Sequence, residues 1–435
     1  MNQLEQFLSV ASWHGPLDQA RAMLAEDPSL PAASIHTAAV VGDEALVRQF
    51  IAADPAAVGA LAGPHLGTPL VYLCLSKFLR LDRSRSEAFV RTATVLLDAG
   101  ADPNGGFWTP EPNPEFETPL YGAAGVAHHA PLTRLLLDRG ADPNDGEVAY
   151  HSPEGHDLDA MQVVVETGRL TPASLALMLV RKCDWHDLEG VRYLLRHGAS
   201  PNGRWGKAGF AAVLHAIERD NSLAIMEALL DHGADPTISR EGLSGVARAA
   251  RRGRGDLLAL FERRGTSIAL DGVDQLIAAC ARNDGAAIEK LLRQSPRLAD
   301  ELRAMGGELL GHFAGTANSA GVERLLDLGV PIDATTQGDG YFDIAPGSTA
   351  LHVAAWRAWH DTVKTLLRRG APVNLPDGRG RTPLMLAVKA CVDSYWSERR
   401  SPESVAALLA AGAAADGVPT PSGYDEIDRL IAAAR

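Results

Sequence analysis

The chain is poor in cysteine, which limits the cross-links it can form and the compartment it suits. Its four cysteines, Cys74, Cys183, Cys280 and Cys391, lie far apart and include no CxxC pair. Three of them stand where short helices otherwise carry alanine, which predicts small buried thiols. Such thiols favour a reducing compartment, so we expect a cytoplasmic protein.

Long apolar runs are also missing. No run approaches the length of about 18 residues that a transmembrane helix needs. The first ten residues, MNQLEQFLSV, lack the basic stretch and the cleavage site of a secretory signal. We therefore expect a soluble, intracellular protein without a membrane partner.

Basic residues are too few for a general affinity for nucleic acid. Lysine and arginine number 41 against 54 aspartates and glutamates, which gives a net charge of −13. Binding to phosphate backbones needs a basic face. The cluster Arg248, Arg251, Arg252 and Arg254 has Asp256 close by, which favours a salt-bridged surface over a nucleic-acid site.

The motifs of common enzymes are absent as well. The sequence has no glycine-rich phosphate loop followed by Lys and Ser/Thr, and no Gly-x-Ser-x-Gly elbow. It also has no Cys–His pair whose spacing supports a nucleophile. We expect no cofactor and no attached catalytic domain.

What the chain does have is a recurring unit, seen most clearly in residues 347–374. A turn glycine and a Ser/Thr pair come before a first helix marked by Leu351 and Val353. A reversal at 358–360 leads to a second helix with Leu366 and Leu367 on its apolar side. Gly370 then ends that helix, because only glycine enters the left-handed region cheaply.

Versions of this unit recur along the whole sequence. The second-helix ending 96–104 (LLDAGADPN) returns at 136–144, 194–202, 229–237 and 366–374. The start signal Thr-Pro-Leu appears at Thr68, Thr118 and Thr382. A fixed period in this size range is the signature of a repeat array. The glycines that end the second helices are Gly100, Gly140, Gly168, Gly198, Gly233, Gly265, Gly329, Gly370 and Gly412.

The unit resembles the ankyrin repeat, whose signature runs Thr-Pro-Leu-His, two alanines, Gly-His, a leucine-rich helix and Gly-Ala-Asp-Pro-Asn. The resemblance covers nearly the whole chain. It implies an all-α solenoid of about twelve helix–turn–helix–loop units, forming a curved superhelix with a concave groove. We expect a single array over 1–435 with a C-terminal cap at 420–435. The repeats are placed at 4–33, 34–66, 67–104, 116–144, 145–170, 171–202, 207–237, 240–268, 271–299, 302–333, 347–374 and 380–416.

The resemblance also implies where a partner binds. In such units the residues after the alanine pair face the groove, and here several of them are arginine or tryptophan, which anchor many interfaces. The sequence predicts a monomer that binds another protein or a peptide, with an acidic or aromatic-bearing segment in the groove. The other interpretation is that charged helix ends serve solubility alone. The predicted binding residues on the helices are Trp185, Arg219, Arg251, Arg252, Trp356, Arg357 and Trp359.

Two long insertions, 105–117 and 334–346, carry further aromatic residues among acidic ones. Trp108, Tyr341 and Phe342 are predicted binding residues, because exposed aromatics on extended loops usually contact something. Two outcomes are open for these aromatics. They contact a partner, or they pack back onto the groove of their own chain.

The fifth repeat is the most irregular, because Ser152-Pro153 cuts its first helix short. His151, His156, Asp184 and His186 lie at similar positions of adjacent repeats and could converge. An alternative function is therefore a small-molecule or metal-assisted enzymatic site near residues 150–187. Their spacing matches no metal signature, so we predict no metal, and loop histidines with capping aspartates are the structural interpretation. Whether the protein is an enzyme stays open.

Three other histidines have a structural interpretation. His36, His215 and His352 occupy the histidine of the Thr-Pro-Leu-His signature. The resemblance implies that each imidazole bonds to backbone between neighbouring turns. We expect no catalytic role for them.

Overall fold

A computed structural model describes residues 2–206 and 209–435. The predicted repeat 207–237 starts at Lys207, which lies outside the described residues together with Ala208. The chain forms two compact units, Met1–Asp235 and Pro236–Arg435. Each unit is built from consecutive pairs of short antiparallel helices.

The first unit holds seven helix pairs within its described residues. Extra turns lengthen the third pair, where α6 and a 3-10 turn, Arg83–Arg85, fill the predicted insertion. The helices are α1 Gln3–Ala11, α2 Leu17–Glu26, α3 Ile35–Val40, α4 Glu44–Ala53, α5 Pro69–Cys74, α6 Lys77–Leu81, α7 Ser86–Asp98, α8 Pro119–Tyr121, α9 Ala130–Asp138, α10 Glu147–His151, α11 Asp159–Glu166, α12 Pro172–Asp184, α13 Leu188–Arg196, α14 Ala212–Glu218 and α15 Leu223–Asp231.

The second unit, all of whose residues are described, holds five helix pairs, one additional helix and a terminal helix. The additional helix, α20, stands between the ninth and tenth pairs. The helices are α16 Gly245–Arg251, α17 Gly255–Arg263, α18 Gly272–Ala281, α19 Gly285–Gln294, α20 Leu298–Ala304, α21 Gly306–Gly315, α22 Ser319–Asp327, α23 Ala350–Trp356, α24 His360–Arg368, α25 Pro383–Asp393, α26 Glu403–Ala410 and α27 Asp425–Ala434.

Strands are few and short, which confirms the all-α fold class. In the first unit β1 (Phe107–Trp108) pairs antiparallel with β2 (Phe116–Glu117), so the insertion 105–117 is a hairpin. In the second unit β3 (Ser239–Arg240) pairs with β4 (Leu243–Ser244).

The helix boundaries follow the predicted start and stop signals. Thr68, Thr118 and Thr382 each accept a hydrogen bond from a backbone N–H in the first turn of the helix that follows. At the other end, Gly370 takes a φ of +82°. An added Cβ there would meet no atom within 4 Å, so the backbone conformation and not crowding selects glycine.

Irregular first helices appear where the sequence breaks the pattern. The helix α10 has only five residues and ends directly before Ser152 and Pro153, as the proline predicts. In the fourth repeat α8 continues into a π-helical turn, Gly122–Val126. Such wide turns are frequent at functional sites.

An asparagine at the end of several repeats joins each one to the next. Asn104 donates from Nδ2 to the Gly140 carbonyl (3.1 Å) and accepts from the Asp142 amide (2.8 Å). Asn374 makes the same pair of bonds with Gly412 (3.2 Å) and Ala414 (2.8 Å). Because each side chain satisfies one carbonyl and one N–H of the next repeat, it fixes the spacing between neighbours.

The interior of both units is made of alanine, leucine and valine from facing helices. All four cysteines are buried and free, which confirms the prediction of small buried thiols. Burial raises the pKa of the Cys280 thiol to about 12. Over the part of the chain that the structure describes, no helix combines the length and apolar character needed to cross a membrane.

Candidate functional site

In the first unit, the short helix α10 places His151 between two carboxylates. His151 Nε2 lies 3.3 Å from Glu147 Oε2, one helical turn earlier, and its Nδ1 lies 3.2 Å from Glu154 Oε1. Burial acts to lower the pKa of His151, but the hydrogen bonds to Glu147 and Glu154 outweigh it and raise this pKa to about 9. His151 is therefore a cation at neutral pH.

The charges continue into the sixth and seventh repeats. Arg181 of α12 donates to Glu154 Oε1 (2.7 Å) and to Asp184 Oδ2 (2.6 Å). Asp184 Oδ1 in turn lies 2.7 Å from both His215 Nε2 and Arg219 Nε. Burial opposes ionisation of Asp184, but its hydrogen bonds from His215 and Arg219 lower the pKa of this carboxyl to about 2.

We call these residues, Glu147, His151, Glu154, Arg181, Asp184, His215 and Arg219, the charge network. Its signs alternate along most of its length, so neighbouring members compensate each other. It links α10, α12 and α14 and so ties three consecutive repeats together. Such partly buried pairs fix geometry more than they add stability, because each charge is costly to remove from water.

The four candidate residues of this region do not form one site. Ion pairs of Glu154 and Arg181 link His151 to Asp184, while His156 is exposed. His186 has its Nδ1 3.4 Å from Asn221 Nδ2. Among the described residues no group of three His, Cys, Asp or Glu side chains is arranged to hold a metal.

Two of the three histidines at the Thr-Pro-Leu-His position bond to a backbone carbonyl, as expected. His36 Nε2 lies 2.8 Å from the Ala60 carbonyl, and His352 Nε2 lies 3.1 Å from the Arg381 carbonyl. His215 differs, because its Nε2 bonds to the Asp184 carboxylate instead of backbone. The expectation of a backbone partner was wrong there, since Asp184 reaches the ring from the preceding repeat.

A buried lysine holds the loop beside the network. Lys182 is fully buried, and its Nζ donates to Asp187 Oδ2 (2.7 Å) and to the Gly155 carbonyl (2.9 Å). Asp187 also caps α13 through the Gly190 amide. The lysine thus connects the irregular loop after α10 to the start of α13.

Sequence reasoning missed Glu117, a buried carboxyl close to the charge network. Glu117 ends β2, is 1% exposed, and its Oε2 has no hydrogen-bond partner among the described residues. Burial, followed by the negative charge of Glu147, raises its pKa to about 7. The only sequence signal was an acidic residue next to the Thr118 cap, at the end of an insertion.

In the second unit, the insertion 334–346 folds back on its own helices. Asp339 and Ile344 exchange backbone hydrogen bonds of 2.9 Å and close a tight turn whose tip holds Tyr341 and Phe342. Asp343 completes the turn with a φ of +54°, which aspartate tolerates better than most residues. Trp356 Nε1 donates to the Phe342 carbonyl across 2.6 Å.

The Phe342 ring begins a stack of alternating rings and guanidinium groups. The Arg357 guanidinium lies 4.0 Å from the Phe342 ring centre and 4.2 Å from that of Trp396. Arg399 continues the stack, at 4.6 Å from Trp396 and 4.0 Å from Trp359. We call these five residues the cation–π stack, and it joins the eleventh repeat to the insertion of the twelfth.

Next to the ring, Asp343 meets a group of cations. It pairs with Arg379, with Arg381 (3.3 Å) and with Lys389 Nζ (3.1 Å). Although partial burial opposes ionisation, hydrogen bonds from Arg379 and Lys389 hold the pKa of Asp343 below its usual value. Phe342 therefore lies against the Arg357 guanidinium, and the next residue, Asp343, lies among three cationic side chains.

Burial divides the aromatic residues of the insertions, because Phe342 packs back onto its own chain while Tyr341 and Trp108 stay exposed. Phe342, Trp356 and Arg357 are 4%, 8% and 2% exposed, because the loop covers the helix ends. Trp359 is half-buried and donates from Nε1 to the Gly315 carbonyl (2.7 Å). By contrast Trp108 is 67% exposed on the outer face of the β1–β2 hairpin.

The remaining predicted binding residues are partly buried except Tyr341, which is 39% exposed, and two of the arginines hold internal carboxylates. Arg251 forms a two-point ion pair with Asp274, at 2.7 and 3.0 Å. Arg252 lies 5.6 Å from the Phe342 ring centre, while Trp185 is half-buried at the end of α12. The nearby Arg254 forms a two-point ion pair with Asp256, which confirms the salt-bridged interpretation for that residue.

Comparisons with known proteins agree with this fold. A family model described as ankyrin repeats (3 copies) matches residues 312–416, which include the cation–π stack. The chain is 28% identical over 329 residues to an ankyrin repeat domain-containing protein, SAT10, of Stachybotrys chartarum, a match that covers 75% of this chain. It is also 40% identical over 62 residues, 14% of the chain, to Rabankyrin-5 of Mus musculus.

These relatives are much longer than the matched regions. The matches span 14% of SAT10 and 5% of Rabankyrin-5. A solved structure, the human ASB11 ankyrin repeat domain, aligns at 20% identity and a TM-score of 0.24, covering 54% of this chain and 98% of that one.

Proposed function

We propose that this chain, which is built of ankyrin repeats, is a protein-binding module whose second unit recognises a segment with an aromatic residue followed by an acidic one. Ankyrin repeats generally mediate protein–protein interactions. The net charge of −13 disfavours binding to phosphate backbones, so the proposal names a protein or peptide and not a nucleic acid. We also propose that the protein is cytoplasmic and monomeric.

One observation carries the proposal: the chain already holds such a pair against its own helices. Phe342 lies against Arg357, and Asp343 lies among Arg379, Arg381 and Lys389. The loop therefore stands in for a ligand. A partner segment of the same chemistry would displace it and use the same positions.

The positions suit recognition because they are held in place before a ligand arrives. Trp396 also packs against Arg357, and Arg399 packs against Trp396 in turn. Preorganised arginine and tryptophan side chains lose little freedom on binding, which favours affinity. The partner then competes with the loop, so the measured affinity is reduced by the free energy needed to open it.

Exposed aromatic residues near the loop give a partner further contacts. Tyr341 is 39% exposed at the tip of the turn, and Tyr395 is 48% exposed beside Trp396. Tyr341 moves out with the displaced loop, so a longer partner segment would reach Tyr395 beside Trp396. The alternative, an enzymatic site near residues 150–187, gains no supporting geometry, because His151 and Asp184 are committed to ion pairs.

The test uses the full chain and a fluorescein-labelled peptide with the sequence of residues 338–346, GDGYFDIAP. The variant Phe342→Ala/Asp343→Ala removes the internal ligand and leaves Arg357, Trp396 and the cations around position 343 in place. Fluorescence anisotropy should show binding to this variant at least about tenfold tighter than to wild type. A control peptide, GDGYAAIAP, should bind neither protein.

Several outcomes decide the proposal. Absence of binding to a folded double variant would overturn it, as would equal binding of the control peptide. If the double variant does not fold, Asp343→Asn alone serves, since it keeps the ring and removes only the charge. That variant should bind the peptide more tightly than wild type, and no gain would again contradict the proposal.

A further inference from the structure

The buried carboxyl of Glu117 has a bonding position that no described residue of the first unit fills. Its Oε2 is buried and has no hydrogen-bond donor among the described residues, although the side chain is only 1% exposed. Buried polar atoms without partners are rare and costly, so each one calls for an explanation. The missing partner is an N–H or O–H donor.

A group of aromatic rings extends from Phe107, the hairpin partner of Glu117. Phe107 stands directly opposite Glu117 in the hairpin, so both side chains point to the same face. The Phe107 ring stacks on His65 at 4.9 Å and meets Trp13 edge-on at 5.7 Å. Trp13 Nε1 donates to Tyr121 Oη (3.2 Å), which connects Tyr121 to this group of rings.

Negative charge dominates on the other side. Glu147, Glu115 and Asp145 each act to raise the pKa of Glu117, and His151 is the one cation whose field opposes them. His151 itself is held between Glu147 and Glu154. Lys77 and Arg80 act on His14, next to Trp13 in the sequence, and both extend from the edge of the third repeat.

We propose that this Glu117 cluster (Glu117, Phe107, Trp13, Tyr121 and His65, with the carboxylates around it) binds the primary ammonium group of a ligand. An ammonium supplies the missing donor to Glu117 Oε2, and its positive charge is attracted by aromatic faces and by the neighbouring carboxylates.

A ligand can reach the Glu117 cluster where residues at its edge are partly exposed. Trp13 and His151 are both partly exposed, so the cluster reaches the surface there. The ammonium group comes from a lysine side chain of a protein or from a small free amine, and both have the same chemistry. This proposal is independent of the one for the second unit, since its residues all lie in the first.

Isothermal titration calorimetry on the full chain tests the proposal with two amines, n-butylamine and Nα-acetyl-lysine-N-methylamide, and with n-butanol as the neutral control. We expect saturable binding of an amine and none of n-butanol. Glu117→Gln should weaken amine binding at least about tenfold. The exposed Glu111→Gln, in the tip of the same hairpin, should change it less than about twofold.

A second readout separates a specific site from general charge attraction. The Glu117 carboxyl must ionise to hold an ammonium, so binding near pH 6.5 should release a proton, seen as a heat that varies with buffer ionisation enthalpy. Glu117→Gln should abolish this release. If the lysine derivative binds more tightly than n-butylamine, the ammonium group comes from a lysine side chain of a partner. If the two bind equally well, it comes from a small free amine.

The wild-type titration alone can overturn the proposal, so the test does not depend on whether the variant folds. It is wrong if neither amine binds saturably to the wild-type chain. It is also wrong if Glu117→Gln binds the amines as well as wild type does.

Discussion

Trp356 donates its indole N–H to the carbonyl oxygen of Phe342 across 2.6 Å. This bond connects a helix end to the tip of the insertion that precedes the eleventh repeat. Because Trp356 is only 8% exposed, water cannot readily replace the donor. The bond therefore holds the loop in place against the cation–π stack.

We predict that Trp356→Phe loosens this loop. The substitution keeps an aromatic ring and removes the donor, so the Phe342 carbonyl is left unpaired at a cost of about 2 kcal/mol. Urea unfolding should show a lower midpoint, and hydrogen exchange should speed up at residues 340–344. The exposed Trp108→Phe is the control and should change the stability by less than about 0.5 kcal/mol.

Asp184→Asn should destabilise the first unit. It leaves His215, Arg181 and Arg219 without their shared counter-charge, which costs about 3 kcal/mol for a largely buried pair. Urea unfolding measures the loss, and Asp157→Asn, an exposed site, is the control. A loss no larger than that of Asp157→Asn would contradict the assigned role.

The same aspartate predicts a pH dependence. Its pKa is lowered from 3.8 to about 2 on folding, so its contribution is complete above pH 3.8 and disappears as the pH falls through 2. Acid unfolding followed by circular dichroism should thus be steeper between pH 4 and 2 in wild type than in Asp184→Asn. Parallel curves for the two proteins would be inconsistent with the ion pairs.

Glu117→Gln should have the opposite pH dependence. Folding raises the Glu117 pKa from 4.5 to about 7, so the folded state binds more protons in this range and this residue lowers stability as the pH rises. The variant should therefore gain stability relative to wild type between pH 4.5 and 8, by on the order of 3 kcal/mol. Thermal melts of the variant and of wild type at pH 4.5 and pH 8 measure the gain. A stability difference between the two proteins that does not change with pH would refute the prediction.

The cysteines should be chemically silent in the folded protein. All four are buried, and burial raises the pKa of Cys391 to about 11, so almost no thiolate exists at neutral pH. A thiol reagent such as DTNB should label none of them within minutes at pH 7.5 and all four in guanidinium chloride. Fast labelling of the native protein would show local opening around one helix.

Local signals in the sequence sufficed for the fold because each acts within a few residues. Thr382 caps its helix and Gly370 ends one through contacts that lie next to them in the chain. The same holds for Pro153, which shortens α10 as expected. These effects need no knowledge of the neighbouring repeats.

The candidate sites depend on contacts between distant residues, which the pattern of one repeat does not contain. The register placed Trp356 and Arg357 on the inner helix ends, but it could not show that Phe342 folds over them. Similarly, His215 has the family position, yet its partner is Asp184, 31 residues earlier. Glu117 escaped notice because burial, not sequence context, makes it unusual.

The asparagine that joins each repeat to the next has an evolutionary consequence. Asn104 bonds to Gly140 and Asp142 of the next repeat, and Asn374 to Gly412 and Ala414, so each of these two joints uses one carbonyl and one N–H of the adjacent copy. A duplication of one whole repeat copies the asparagine and the acceptor glycine together. The gene can therefore lengthen by such a unit while its joint is kept, and new binding loops can arise between unchanged connections.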